Sequence, residues 1–85
     1  MNKTIKLRVK KEIDRKSELK VLKLKGTLIT KGFTEIIHIE DENEDFYLNT
    51  FSTYAVLIKE AEKFIIDFIS INEITDSVTL INTSK

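Results

Sequence analysis

The sequence predicts an α+β fold: an antiparallel sheet of four to five strands with one long amphipathic helix packed on one face, in the order ββββαβ. Short runs in which apolar and polar residues alternate with a period of two mark the strands. Polar clusters separate those runs, and residues 52–70 place apolar side chains at helical spacing. The chain of 85 residues makes one domain, 1–85. A chain of this size buries only roughly 60% of its unfolded surface. Without cysteine it must be held by packing alone or by a partner subunit.

Residues 3–13, KTIKLRVKKEI, alternate cleanly: Ile5, Leu7 and Val9 point one way, Lys6, Arg8 and Lys10 the other. DRKSE (14–18) reads as a polar turn, and a second strand follows over 19–30. Its alternation changes phase between Val21 and Leu22, as a β-bulge would produce, after which Leu22, Leu24 and Leu28 share a face. TKG (30–32) closes a hairpin into a third strand, FTEIIHIE (33–40). EDENED (40–45) is a charged, exposed loop, and DFYLNTF (45–51) is the fourth strand.

Residues 52–70, STYAVLIKEAEKFIIDFIS, fit either a hairpin turning at KEAEK or one helix. The hairpin lacks Gly, Asn or Asp at its turn. At 3.6 residues per turn, Tyr54, Ala55, Leu57, Ile58, Ala61, Phe64, Ile65, Ile66, Phe68 and Ile69 fall on an arc of roughly 220°. Ser52 is then the N-cap. A turn at 75–77 leads to a last strand, VTLIN (78–82). The apolar arc is wider than one sheet face needs. Either Val56, Phe64, Ile66 and Ile71 pack on a second subunit as a homodimer, or the last strand and its turn fold over them.

Charge is segregated along the chain. Residues 1–31 carry eleven Lys and Arg against three Asp and Glu, and residues 32–85 carry three against eleven, so +8 and −8 cancel. With the helix on the Ile5 face, the opposite sheet face is expected to hold Lys6, Arg8, Lys10, Lys23 and Lys25, together with Tyr47 and Phe51. Three roles compete for it: solubility and protection of sheet edges, charge-complementary docking on a protein, and single-stranded nucleic-acid binding by phosphate contacts and base stacking. The strand-to-helix run YLNTFSTYAVLIKEAEKFI (47–65), in a ββββα order, is similar to the single-stranded-DNA-binding coactivator fold of the positive-cofactor type. That resemblance implies nucleic-acid binding.

Other chemistry finds little support. Asp41, Asn43 and Asp45 are spaced as in the first half of a calcium loop, but Phe46 and Ser52 stand where Gly and Glu are required. His38, the only histidine, lacks a second ligand for zinc and a matched partner for general-base work. Gly26 and Gly32 are isolated, so no phosphate-cradling loop forms. No enzymatic role, metal or cofactor is expected. Nor is a membrane span or export signal, and the expected location is the cytoplasm. Twelve lysines against two arginines, with thirteen isoleucines and no proline, is the usage of an AT-rich genome such as a low-GC bacterium or its phages and plasmids. The expectation is therefore a small protein-binding inhibitor or adaptor of phage or mobile-element type. It docks through Glu40, Asp41, Glu42, Glu44 and Asp45 or through the basic sheet face, with nucleic-acid binding by that face as the alternative.

Overall fold

The computed structural model describes residues 2–81. Along the chain it runs β1 (Asn2–Lys10), α1 (Arg15–Thr30), β2 (His38–Asp41), β3 (Phe46–Tyr54), a 3₁₀ turn (Ala55–Leu57), α2 (Ile58–Ile71) and β4 (Val78–Ile81). The sheet order is β2-β3-β1-β4 with every neighbouring pair antiparallel. Each half of the chain is thus a split βαβ unit. The α+β class and antiparallel sheet agree with expectation, but the order is βαββαβ and not ββββαβ. The ββββα order behind the resemblance to the coactivator fold is absent.

The segment expected to be a turn and second strand is α1. Asp14, extended at φ −72° and ψ 166°, is its N-cap and accepts a 3.0 Å hydrogen bond from the Ser17 N–H. Glu18 adds a negative charge to the first turn. Val21, Leu24 and Leu28, at i, i+3 and i+7, are the buried positions. The apparent bulge at Val21–Leu22 is this helical phase read with the wrong period. Two features made α1 look like a strand: the local Leu22-Lys23-Leu24-Lys25 alternation, and aliphatic residues on its outer face that blur the amphipathic contrast.

Both helices end in the same way. After α1, Gly32 takes φ 85°, its N–H bonds the Ile29 carbonyl, and the Phe33 N–H bonds the Leu28 carbonyl. After α2, Glu73 takes φ 57°, with Glu73 N–H to the Ser70 carbonyl and Ile74 N–H to the Ile69 carbonyl. Each is a Schellman motif that buries the next apolar residue, Phe33 or Ile74. TKG is therefore a helix end and not a hairpin. The third strand shortens to His38–Asp41, since residue 33 is drawn into the core and Thr34 donates its hydroxyl to the Ile36 carbonyl.

α2 begins later than expected. β3 continues to Tyr54, so Ser52 lies in the strand and the helix starts at Ile58 without a side-chain cap. Ala61, Ile65 and Ile69 form its buried stripe. Phe64 packs at 6.1 Å from Phe33 and 5.9 Å from Phe68 (ring centroids), with the Lys31 ammonium over its ring. The wide apolar arc is thus partly taken up inside the molecule, while Val56, Ile66 and Ile71 remain exposed. The turn at 75–77 is as expected; of the last strand, Asn82 lies outside the described residues.

The core is one layer between sheet and helices. Ile5, Leu7, Val9, Phe51 and Val78 from the sheet meet Val21, Leu24, Leu28, Ala61, Ile65 and Ile69. The helices run antiparallel: the Lys20 ammonium, near the start of α1, donates to the Asn72 carbonyl at the end of α2 (2.7 Å), and Lys31 at the end of α1 reaches Phe64. A cation at a helix C-terminus complements its dipole.

Candidate functional site

Among the described residues, no helix covers the second face of the sheet. Cross-strand pairing places Lys6, Arg8 and Lys10 of β1 there, with Leu48 and Thr50 of β3, His38 and Glu40 of β2, and Thr79 and Ile81 of β4. At one end the charges close on each other. Arg8 grips Glu42 through two hydrogen bonds, Nε to Oε1 at 2.7 Å and Nη2 to Oε2 at 2.8 Å, a fork geometry. Its guanidinium also lies 5.5 Å from the Phe46 ring centre. The same hydrogen bonds hold the Glu42 carboxyl below its ordinary pKa and raise that of Arg8. Lys11 pairs with Asp41 at 3.2 Å and lies over Tyr47. Asn43 Oδ1 accepts from the Asp45 and Phe46 N–H groups and fixes the turn. The acidic hairpin is therefore folded against the basic strand, which is how the segregated charge is partly used.

Of the expected basic and aromatic set, Lys6, Arg8 and Lys10 share this face and the other four do not. Phe51 is 2% exposed, in the core. Tyr47 sits on the helix side of β3 at the hairpin, opposite Val9. Lys23 and Lys25 belong to α1. Lys25 lies inward, its ammonium 3.3 Å from Asn49 Oδ1, and burial pushes its pKa down. Two reasons account for this: a strand over 19–30 would set Lys23 and Lys25 in the sheet, whereas Tyr47 and Phe51 pair directly with Val9 and Ile5 and so share their helix-covered face. Among the acidic residues, Glu40 lies on the open face opposite Leu48, Asp41 and Glu42 are paired as described, and Glu44 and Asp45 are exposed in the turn.

The outward side of α1 is a surface that the strand reading concealed. Leu19, Leu22 and Ile29 are 51%, 55% and 43% exposed and lie on one side of the helix, with Gly26 between Leu22 and Ile29. Arg15, Lys16 and Lys23 border that stripe, and among the described residues no carboxylate lies within ion-pair distance of them. Gly26 leaves a notch: a Cβ there meets nothing within 4 Å. The signal in the sequence was the recurrence 15, 19, 22, 26, 29, legible only once the helical period is known.

A groove of about 700 Å³ opens on the far side of β3, where β2 stops short. Phe33, Phe51 and Thr53 line it together with Ile36, His38, Ser52 and Tyr54. Among the described residues no three His, Asp or Glu side chains converge as a metal site, and no helix is long and apolar enough to cross a membrane. Comparison with family models, curated proteins and solved structures gives no significant match.

Proposed function

We propose that this chain is a non-enzymatic protein-interaction module, an inhibitor or adaptor, that docks through the outward face of α1 onto an acidic, apolar-ridged surface of its partner. The observation carrying this reading is the half-exposed Leu19–Leu22–Ile29 stripe bordered by Arg15, Lys16 and Lys23, none of which lies within ion-pair distance of a carboxylate among the described residues. Burying the exposed half of three such side chains contributes on the order of 3 kcal/mol, too little for tight binding by itself. The cations supply the rest of the specificity: they steer an acidic partner and repel basic ones. The notch at Gly26 accepts a side chain from the partner without a clash.

The acidic hairpin is the weaker docking surface, because Asp41 and Glu42 are already engaged by Lys11 and Arg8. Nucleic-acid binding by the sheet face loses support for a related reason. Tyr47 and Phe51 are not on that face, and Arg8 occupies the ring of Phe46.

The test is an affinity capture from source-cell lysate, treated with nuclease, comparing wild type with Leu22→Glu and with the pair Lys16→Glu, Lys23→Glu. A specific protein held by wild type and lost by both variants is the expected result. The variants should melt as wild type does, since these side chains face outward. Capture that ignores the α1 changes, or that disappears with nuclease, overturns the reading.

A further inference from the structure

We infer that the β3 edge beside the groove is a binding site for an uncharged, extended peptide segment, which adds there as a short strand. Hydrogen-bond alternation along β3 sets the geometry. The Asp45 carbonyl accepts from Lys11 on the β1 side, and the Phe46 carbonyl accepts from Glu42 and Asn43 on the β2 side. Even-numbered residues of β3 therefore direct their backbone groups outward, away from β1. β2 covers β3 only as far as the pair His38–Thr50. The next outward-directed groups are the N–H and C=O of Ser52 and the N–H of Tyr54, and among the described residues no hydrogen-bond partner meets them. The chain that would continue β2 turns away, held by the bond from the Thr34 hydroxyl to the Ile36 carbonyl.

Two further observations say what fits. Thr53, between Ser52 and Tyr54, is 3% exposed, lines the groove, and has a buried hydroxyl without a hydrogen-bond partner among the described residues. A strand added on this edge places one of its residues opposite Thr53 at a non-hydrogen-bonded position, where side chains approach most closely. A Thr or Ser there gives the hydroxyl its partner. The lining holds one carboxylate, Glu35, one imidazole, His38, and no lysine or arginine, within a chain that is 33% charged. Exposed Ile36 and Tyr54 supply apolar walls. Main-chain pairing to an open edge, with side-chain pockets beside it, is the β-augmentation mode of peptide recognition. This site is separate from the α1 stripe, although Ile29 borders both.

The probe is the capped peptide acetyl-Thr-Val-Thr-Val-Thr-amide, titrated into the ¹⁵N-labelled protein. The expected result is a saturable shift of the Ser52 and Tyr54 amide resonances and slower hydrogen exchange at both. Affinity should fall at least tenfold when the peptide carries N-methyl groups at alternate amides. Ile36→Asp, on an exposed rim that leaves folding intact, should weaken binding by a similar factor. Absence of saturation at millimolar peptide overturns the inference, as does equal binding of the N-methylated peptide or of the Ile36 variant. Protection of these two amides that grows with protein concentration and without peptide also overturns it, because a second copy then occupies the edge.

Discussion

Single residues at the helix ends decide more here than their exposure suggests. Gly32 and Glu73 occupy equivalent left-handed positions in two Schellman motifs, at φ 85° and 57°. Glycine adopts that conformation freely, whereas a residue with a Cβ is held there at a cost of roughly 1–2 kcal/mol. Glu73→Gly should therefore stabilise the domain by about 1 kcal/mol, which for this size raises Tm by about 4–8 °C. Gly32→Ala should cost a similar amount; calorimetry on the two variants checks both signs. The carboxylates of Asp14 and Glu42 act through pH. Hydrogen bonding from Ser17 lowers the pKa of Asp14, and the Arg8 hydrogen bonds lower that of Glu42. A carboxyl held below its unfolded value, about 4 for these side chains, contributes stability that is fully present above that value and lost as pH falls through the lowered one. Urea midpoints should therefore drop on acidification below about pH 4. The double variant Asp14→Asn, Glu42→Gln should show a shallower acid loss; an identical slope would rule out these two groups as its source.

At the scale of elements, α1 is where the two periods compete. Read with period two, Leu22, Leu24 and Leu28 share a buried face; read with period 3.6, Val21, Leu24 and Leu28 do. The structure buries Leu24 and Leu28 completely and leaves Leu22 half out. Leu24→Ala should accordingly cost about 2–5 kcal/mol, while Leu22→Ala should change stability by no more than about 0.5 kcal/mol. Comparable losses at both positions in urea denaturation would refute the helix. Local signals for this helix were present in the sequence: Asp14 three residues before Ser17, the spacing of Val21, Leu24 and Leu28, and Gly32 just past the last turn. The alternating leucines and lysines of 22–25 outweighed them, because an outer face bearing Leu19, Leu22 and Ile29 removes the polar stripe by which an amphipathic helix is recognised.

For the whole molecule, β1 is the central fact. It is the first strand in the chain, yet it lies between β3 and β4 and pairs along its full length with β3, so neither half of the chain completes the sheet alone. Amide exchange should be slowest at Ile5, Leu7 and Val9 and at their β3 partners, and fastest among the strands in β2, whose four residues are all exposed at the sheet's edge. Exchange that is uniform across the four strands would contradict that hierarchy. The neutral total charge has a structural counterpart: the acidic 41–42 segment closes on Arg8 and Lys11, while among the described residues Arg15 and Lys23 of α1 have no carboxylate within ion-pair distance.

Taken alone, the sequence determined the α+β class, the sheet face of β1, the acidic turn, the core face of α2 and the segregation of charge. Each of these depends on side-chain period or on composition within one segment, and such local patterns survive whatever the rest of the chain does. Tertiary structure decided between the strand and helix signals that both lie in residues 15–30, and it decided that Phe51 enters the core. It also decided where the open surfaces lie. Those outcomes depend on which strand neighbours which and on how much of each face the helices cover. Both are set by contacts between segments far apart in the chain, to which a local period is blind.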